Sequence, residues 1–281
     1  MDIYSAEIAI MNRAMLGVLI AITIIIPGAL AEREHVTPEV RESLSLRLGN
    51  SIEIWQLVWT ASPHPYCHLG EIDMAMTCPC DGFAYGEAGH LKLVRSRAHQ
   101  PDEVLPLDNF FRRDNSDPAI SKSFSIVQKW PYQTSDYIRY TRKDLNLAQD
   151  IQRRPVSRIM IMKDYNRDGW NAKFLLQIQS QSCGDRRFVA IGITKNRPYL
   201  HAMGSKALPG KPLILPLRVW EKMNAVSGPF SITVGSCGDH FSDREHRLLV
   251  YVEKGAIDVI EEEWSCSPSG RAEMRLTRRQ R

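Results

Sequence analysis

Arg158-Ile159-Met160-Ile161-Met162-Lys163-Asp164-Tyr165-Asn166-Arg167-Asp168-Gly169-Trp170-Asn171-Ala172-Lys173-Phe174-Leu175-Leu176-Gln177-Ile178 sets a polar, glycine-containing turn between two short apolar runs. Short apolar runs bounded by turn residues read as strands, whereas an amphipathic helix needs a longer run with a 3.6-residue period. The same rhythm extends outward. Val156 to Met162, Phe174 to Gln179, Phe188 to Thr194, Phe230 to Val234, Leu248 to Val252 and Ile257 to Ile260 are each short, apolar and separated by turn residues. Upstream, Ile52, Ile54, Leu57 and Trp59 alternate with one slip, which predicts a strand with a bulge. Leu91 to Val94, Phe124 to Trp130 and Tyr137 to Tyr140 are further strand candidates. One helix is expected at Leu217 to Ala225, where Leu217, Trp220 and Met223 recur at helical spacing after Pro216. Arg142 to Arg154 reads as a short helix or a connecting segment. The fold class is therefore mainly β, a meander or sandwich with one or two short helices; an α+β fold is the alternative.

Export follows from the other end of the chain. Ala14 to Ile26 is an uncharged apolar run, closed by Pro27-Gly28 and followed by Ala29-Leu30-Ala31, the arrangement of a signal peptide with a small-residue exit. Asp2 and Glu7 do not suit a signal lead-in, and a start at Met11 removes them. An uncleaved anchor is the alternative, because the run approaches the roughly 20 residues that cross a bilayer. Residues 1–31 are thus read as a signal peptide and 32–154 as an N-terminal β-rich region. A boundary falls at Arg153-Arg154-Pro155, residues 155–268 form a C-terminal β-rich region, and 269–281 form a basic flexible tail. The chain carries a net charge of +4, and the five arginines of that tail against Glu273 account for all of it. No basic field remains to suggest nucleic acid, and a membrane contact is expected only through an uncleaved N-terminal segment.

Six cysteines, Cys67, Cys78, Cys80, Cys183, Cys237 and Cys266, follow the export segment, and an even count in an oxidising compartment predicts disulfides. Three precede residue 150 and three follow it, so full oxidation requires at least one bridge between the halves. His64, Cys67, His68, Cys78 and Cys80 offer zinc-type ligands at spacings that match no zinc motif. Cys78-Pro79-Cys80 offers a redox pair as an alternative reading.

The most chemically specific signal is Asp164, Asn166 and Asp168 at alternate positions, then Gly169 and the carbonyl of Trp170. Hard cations need oxygens crowded onto one side of a tight loop, and the glycine permits the turn. This pattern resembles the calcium loops of the EF-hand and dockerin families and, with its strand flanks, the Asp-x-Asn-x-Asp-Gly loops of FG-GAP-type propeller proteins. The strand flanks exclude a true EF-hand. The resemblance covers residues 164–175 only, implies a weak structural calcium site, and departs from the pattern at Ala172, Lys173 and Leu175. A plain Asp-Gly turn is the alternative. The whole chain resembles an exported bacterial family, a resemblance that brings no activity with it.

Asp239, His240 and His246 form the one acid/base cluster with which a secreted hydrolase could be built; otherwise a solvated loop behind a disulfide accounts for them. Nucleophile-elbow, Ser-x-x-Lys and His-Glu-x-x-His signatures are absent from the sequence. Glu261-Glu262-Glu263 reads as a solvated face. Trp55, Trp59, Trp130, Trp220 and Trp264 read as core in preference to a sugar or peptide groove. The expected protein is secreted or periplasmic, disulfide-bonded and non-catalytic.

Overall fold

A computed structural model describes residues 37–67, 79–111, 124–181, 185–239 and 242–281. The export segment, Met11, His68, Cys78, Cys183 and His240 lie outside the described residues. Among the described residues the chain runs through β1 (Glu39–Leu48), β2 (Ser51–Trp59), β3 (His64–Tyr66), β4 (Gly86–Gly89), β5 (Leu91–Arg97), β6 (Glu103–Pro106) and β7 (Ser125–Gln128). Helices α1 (Thr134–Thr141) and α2 (Leu147–Gln152) follow, then β8 (Lys173–Gln181), β9 (Asp185–Gly192), β10 (His201–Ala202) and β11 (Ile214–Pro216). Helix α3 (Leu217–Ala225) precedes β12 (Phe230–Gly235), β13 (Arg244–Glu253), β14 (Ala256–Cys266) and β15 (Ala272–Gln280). All pairings are antiparallel, in sheets ordered β1-β2-β5-β6, β3-β4-β7 and β12-β13-β14-β15, with β9 paired to β8, β10 and β11 in the fourth. The fold is mainly β.

The sheet around β9 lies between two cores. Side chains alternate across a strand, so Val189, Ile191 and Ile193 enter one core with Trp55, Leu57, Trp59, Leu91 and Leu93. Phe188 and Ala190 enter a second core with Val219, Trp220 and Met223 of α3 and with Leu248, Val250, Ile257 and Val259 of the last sheet. A sheet covered on both faces reads as a continuous apolar run, which is what Phe188 to Thr194 shows. The first core draws on residues from both sides of position 154, and the described residues belong to one compact unit.

Several sequence expectations change. β2 needs no slip: Glu53, Trp55, Leu57 and Trp59 form one buried face, joined at the end of the strand by Val58, while Ile52 (58 %) and Ile54 (48 %) are exposed. The irregularity of this hairpin lies in β1 instead, between Val40 and Glu42. Glu53 concealed the true phase, because Arg95 neutralises it through two hydrogen bonds of 2.7 Å and Trp55 Nε1 donates a third at 3.0 Å. Tyr137 to Tyr140 is helical. Asp136 Oδ2 accepts the Gln133 amide at 3.1 Å and fixes the first turn of α1. Asp136 is itself fully buried against Arg154, which donates to both of its oxygens at 2.8 and 2.6 Å. Val156 to Met162 joins no sheet, and the Ile161 amide donates back to the Ile159 carbonyl at 2.8 Å; only Lys163 bridges to Lys173.

Residues 272–280 of the expected flexible tail form β15, an edge strand paired to β14. Its arginines account for the change. Arg279 and Arg281 donate to Glu261 at 2.7 to 2.9 Å, and Arg275 reaches Glu262 at 3.0 Å. Glu261 and Glu262 are consequently buried and paired, not a solvated face. Burial pushes the Glu261 carboxyl up, but Arg281 and Arg279 outweigh it and hold its pKa at about 2. Among the described residues no helix is long and apolar enough to cross a membrane.

Candidate functional site

The cysteines pair locally where they are described: Cys67 with Cys80, and Cys237 with Cys266. Two disulfides suggest an extracellular or periplasmic protein. Because Cys80 is bonded to Cys67, the Cys78–Cys80 redox pair is overturned, and neither Cys67 nor Cys80 is a free thiolate for zinc. His246, on β13, turns its imidazole toward Glu261 Oε1 at 3.7 Å, while Asp239 lies in the turn after β12. Among the described residues no group of three or more His, Cys, Asp or Glu is placed to hold a metal ion. Trp55, Trp59 and Trp220 are fully buried core residues, in line with reading the tryptophans as core in preference to a groove.

The Asp164 to Trp170 loop has the convergence that its sequence predicts, around an unexpected centre. Lys173 Nζ, with the side chain 0 % exposed, donates to Asp164 Oδ1 at 3.0 Å, Asp168 Oδ1 at 2.6 Å and the Trp170 carbonyl at 2.8 Å. These are three of the four residues expected to ligate calcium. The fourth, Asn166, points its amide nitrogen at Asp168 Oδ2 (3.2 Å) and the Gly255 carbonyl (2.9 Å). The Asp168 and Gly169 amides donate to Asp164 at 3.1 and 2.7 Å and close the turn. Burial pushes the Asp168 carboxyl up, but the Lys173 ammonium and the amides of Trp170 and Lys195 hold it below the usual carboxylate range. With the ammonium at this position the oxygens do not fit an additional metal ion.

The same loop organises its surroundings. Arg167, at a positive φ of 56°, donates to the carbonyls of Met223 (2.9 Å) and Val226 at the C-terminal end of α3, and to Ser227 and Val252. A guanidinium at a helix C-terminus satisfies orphan carbonyls and complements the helix dipole. Asn166 and Gly255 exchange backbone and side-chain bonds, which joins the loop to the β13–β14 turn.

Beyond Lys163 the chain leaves β8, and a groove of about 320 Å³ opens in the gap. Side chains of β1 hold the departing segment. Glu42 accepts the Ile159 and Met160 amides at 2.7 and 3.2 Å, and Arg41 donates to the Ser157 carbonyl at 2.9 Å. Those backbone groups are thus satisfied without a ladder to β8. Ile159, Ile161, Leu175, Phe188 and Leu217 supply apolar walls. Arg158, Lys163 and Arg186 face Glu221 around them, an excess of positive charge. Tyr165 also lines the groove, and burial, aided by the Glu221 charge, raises its phenol to about 12, so it stays neutral. The sequence carries little that marks this site. Its one legible signal was an apolar run, Val156 to Met162, which reads as an ordinary strand. Comparison with family models, with curated proteins and with solved structures found no match for the chain.

Proposed function

We propose that this is a non-catalytic, extracytoplasmic binding protein that takes an extended polypeptide segment along the open edge of β8. The observation that carries the reading is the groove between β8 and the Ser157–Lys163 stretch, which exposes a strand edge between apolar walls. An unpaired edge offers main-chain hydrogen bonds to an added strand, and flanking pockets select alternate side chains. The positive excess of Arg158, Lys163 and Arg186 over Glu221 favours a segment that carries an acidic residue beside its apolar ones.

An array of seven-residue peptides alternating β-branched and polar residues, each with one Asp or Glu, tests this by fluorescence anisotropy against the intact protein. Acidic peptides should bind, and Leu175→Arg, which fills the groove, should abolish binding. Equal binding of peptides with Lys in place of the acid, or binding unaffected by Leu175→Arg, sinks the reading.

We propose that Cys78 and Cys183, the two cysteines outside the described residues, pair as a third disulfide, since an even count in an oxidising compartment favours full pairing. The other four cysteines are bonded to one another, and Gln177 Nε2 of β8 donates to the Gly82 carbonyl at 3.4 Å. A non-reducing peptide map of exported protein should yield a peptide joining Cys78 to Cys183. Two free thiols at these positions would refute the pairing.

A further inference from the structure

The loop's three converging oxygens surround an ammonium as they would surround a metal ion, and the charges nearby already balance. Asp164 and Asp168 carry two negative charges. Lys173 supplies one positive charge inside the loop, and Lys195 supplies a second, its Nζ lying 2.9 Å from where a Cβ on Gly169 would stand. A divalent ion added to this set would bring an uncompensated double charge into a partly buried site, which is strongly unfavourable. An ammonium has three donors and no need for the six to eight oxygens of calcium. Two carboxylate oxygens and one carbonyl satisfy all three, and Lys173 uses each.

We infer that the Lys173 ammonium is the resident cation of the Asp164–Trp170 loop, and that removing it opens a divalent-cation site in the same oxygens. A second feature of the loop supports the latter part. Asn166 Oδ1 is buried with no hydrogen-bond partner on the side chain whose amide nitrogen meets Asp168 Oδ2 at 3.2 Å, so a turn of that amide would present an oxygen to the loop. With Lys173 shortened to serine, the loop keeps both carboxylates, the Trp170 carbonyl and this amide oxygen, gains a hydroxyl, and retains one net negative charge beside Lys195. Affinity on the order of 10⁻⁴ to 10⁻³ M is expected for so few charged ligands.

The experiment compares the full-length wild type, Lys173→Ser and the double variant Lys173→Ser/Asp168→Asn. Thermal unfolding is measured in chelator and in millimolar calcium, and terbium luminescence is excited through Trp170. The wild type should show one midpoint in both buffers and no sensitised terbium emission. Lys173→Ser should melt lower in chelator, recover in calcium and sensitise terbium, and the double variant should lose both responses. A wild-type midpoint raised by calcium overturns the inference, as does a Lys173→Ser protein that neither melts lower in chelator nor responds to calcium.

If Lys173→Ser does not fold, nitrogen-15 NMR of the wild type decides. A slowly exchanging Lys173 ammonium resonance, unmoved by calcium, is required, and its absence or displacement refutes the inference.

Discussion

The two ends of the β8 edge solve the same problem in opposite ways. At Lys173 the edge is closed: its carbonyl accepts the Lys163 amide at 2.8 Å, and its side chain anchors a loop that reaches α3 and the β13–β14 turn. Two residues further, at Leu175 to Gln177, the facing chain has been drawn away by Glu42 and Arg41 of β1, and a groove replaces the ladder. A buried ion with every donor used gives rigidity, while an edge with its neighbour tied elsewhere gives access. The difference supports a structural role for the loop and is the ground for the binding role proposed for the groove.

The comparison breaks most readily at Lys173. Lys173→Met leaves two carboxylates without their partner, and removing one member of a buried pair costs about 3–5 kcal/mol. Urea denaturation should show that loss, and a cost below that of the groove substitutions would mean that the loop is not the rigid end. Glu42→Ala should cost less, about 1.5–3 kcal/mol, because it removes charge-assisted bonds to two amides. It should also free the Ser157–Lys163 stretch to move toward β8, so peptide binding should weaken together with stability. Peptide affinity that stays constant would show that Glu42 does not hold the groove open.

Acid sharpens the comparison more gently. The folded Asp168 carboxyl lies below its ordinary value of 3.8, so its contribution is fully present above that value and is lost as pH falls through the folded one. Hydrogen exchange at the loop amides should therefore rise as acid protonates the Asp168 carboxylate. Loop exchange that stays constant through acid, short of global unfolding, would deny the loop its electrostatic lock. The smallest expected effect is that of Ile161→Asp. Ile161 is 55 % exposed on the groove wall, and surface substitutions of this kind stay within about 0.5 kcal/mol. Its stability should be unchanged while acidic peptides bind less well; a large loss of stability would place Ile161 in the core instead.

Helix α3 was legible to the residue, because Pro216, helical spacing of Leu217, Trp220 and Met223, and burial of one face all agree. β1 carries an equally clear local signal, since Leu44, Leu46 and Leu48 alternate before the Gly49-Asn50 turn. Two other segments misled for an electrostatic reason. Glu53 in β2 and Asp136 in α1 are buried carboxylates whose arginine partners, Arg95 and Arg154, lie 42 and 18 residues away. A charge reads as a surface position until its partner is known. The C-terminal arginines misled in the same manner, since they read as a solvated tail when their glutamates are not seen across the strand.

By itself, the sequence determined the short-strand rhythm, the single long amphipathic helix of the second half and the turn that brings Asp164 and Asp168 oxygens together, because periodicity and glycine placement act over a few residues. Only the tertiary structure decided that Lys173 fills that turn, that Cys67 pairs with Cys80, and that the stretch before the loop leaves β8 to open a groove. Each of those depends on groups that meet through space, with their desolvation repaid by partners distant in the chain.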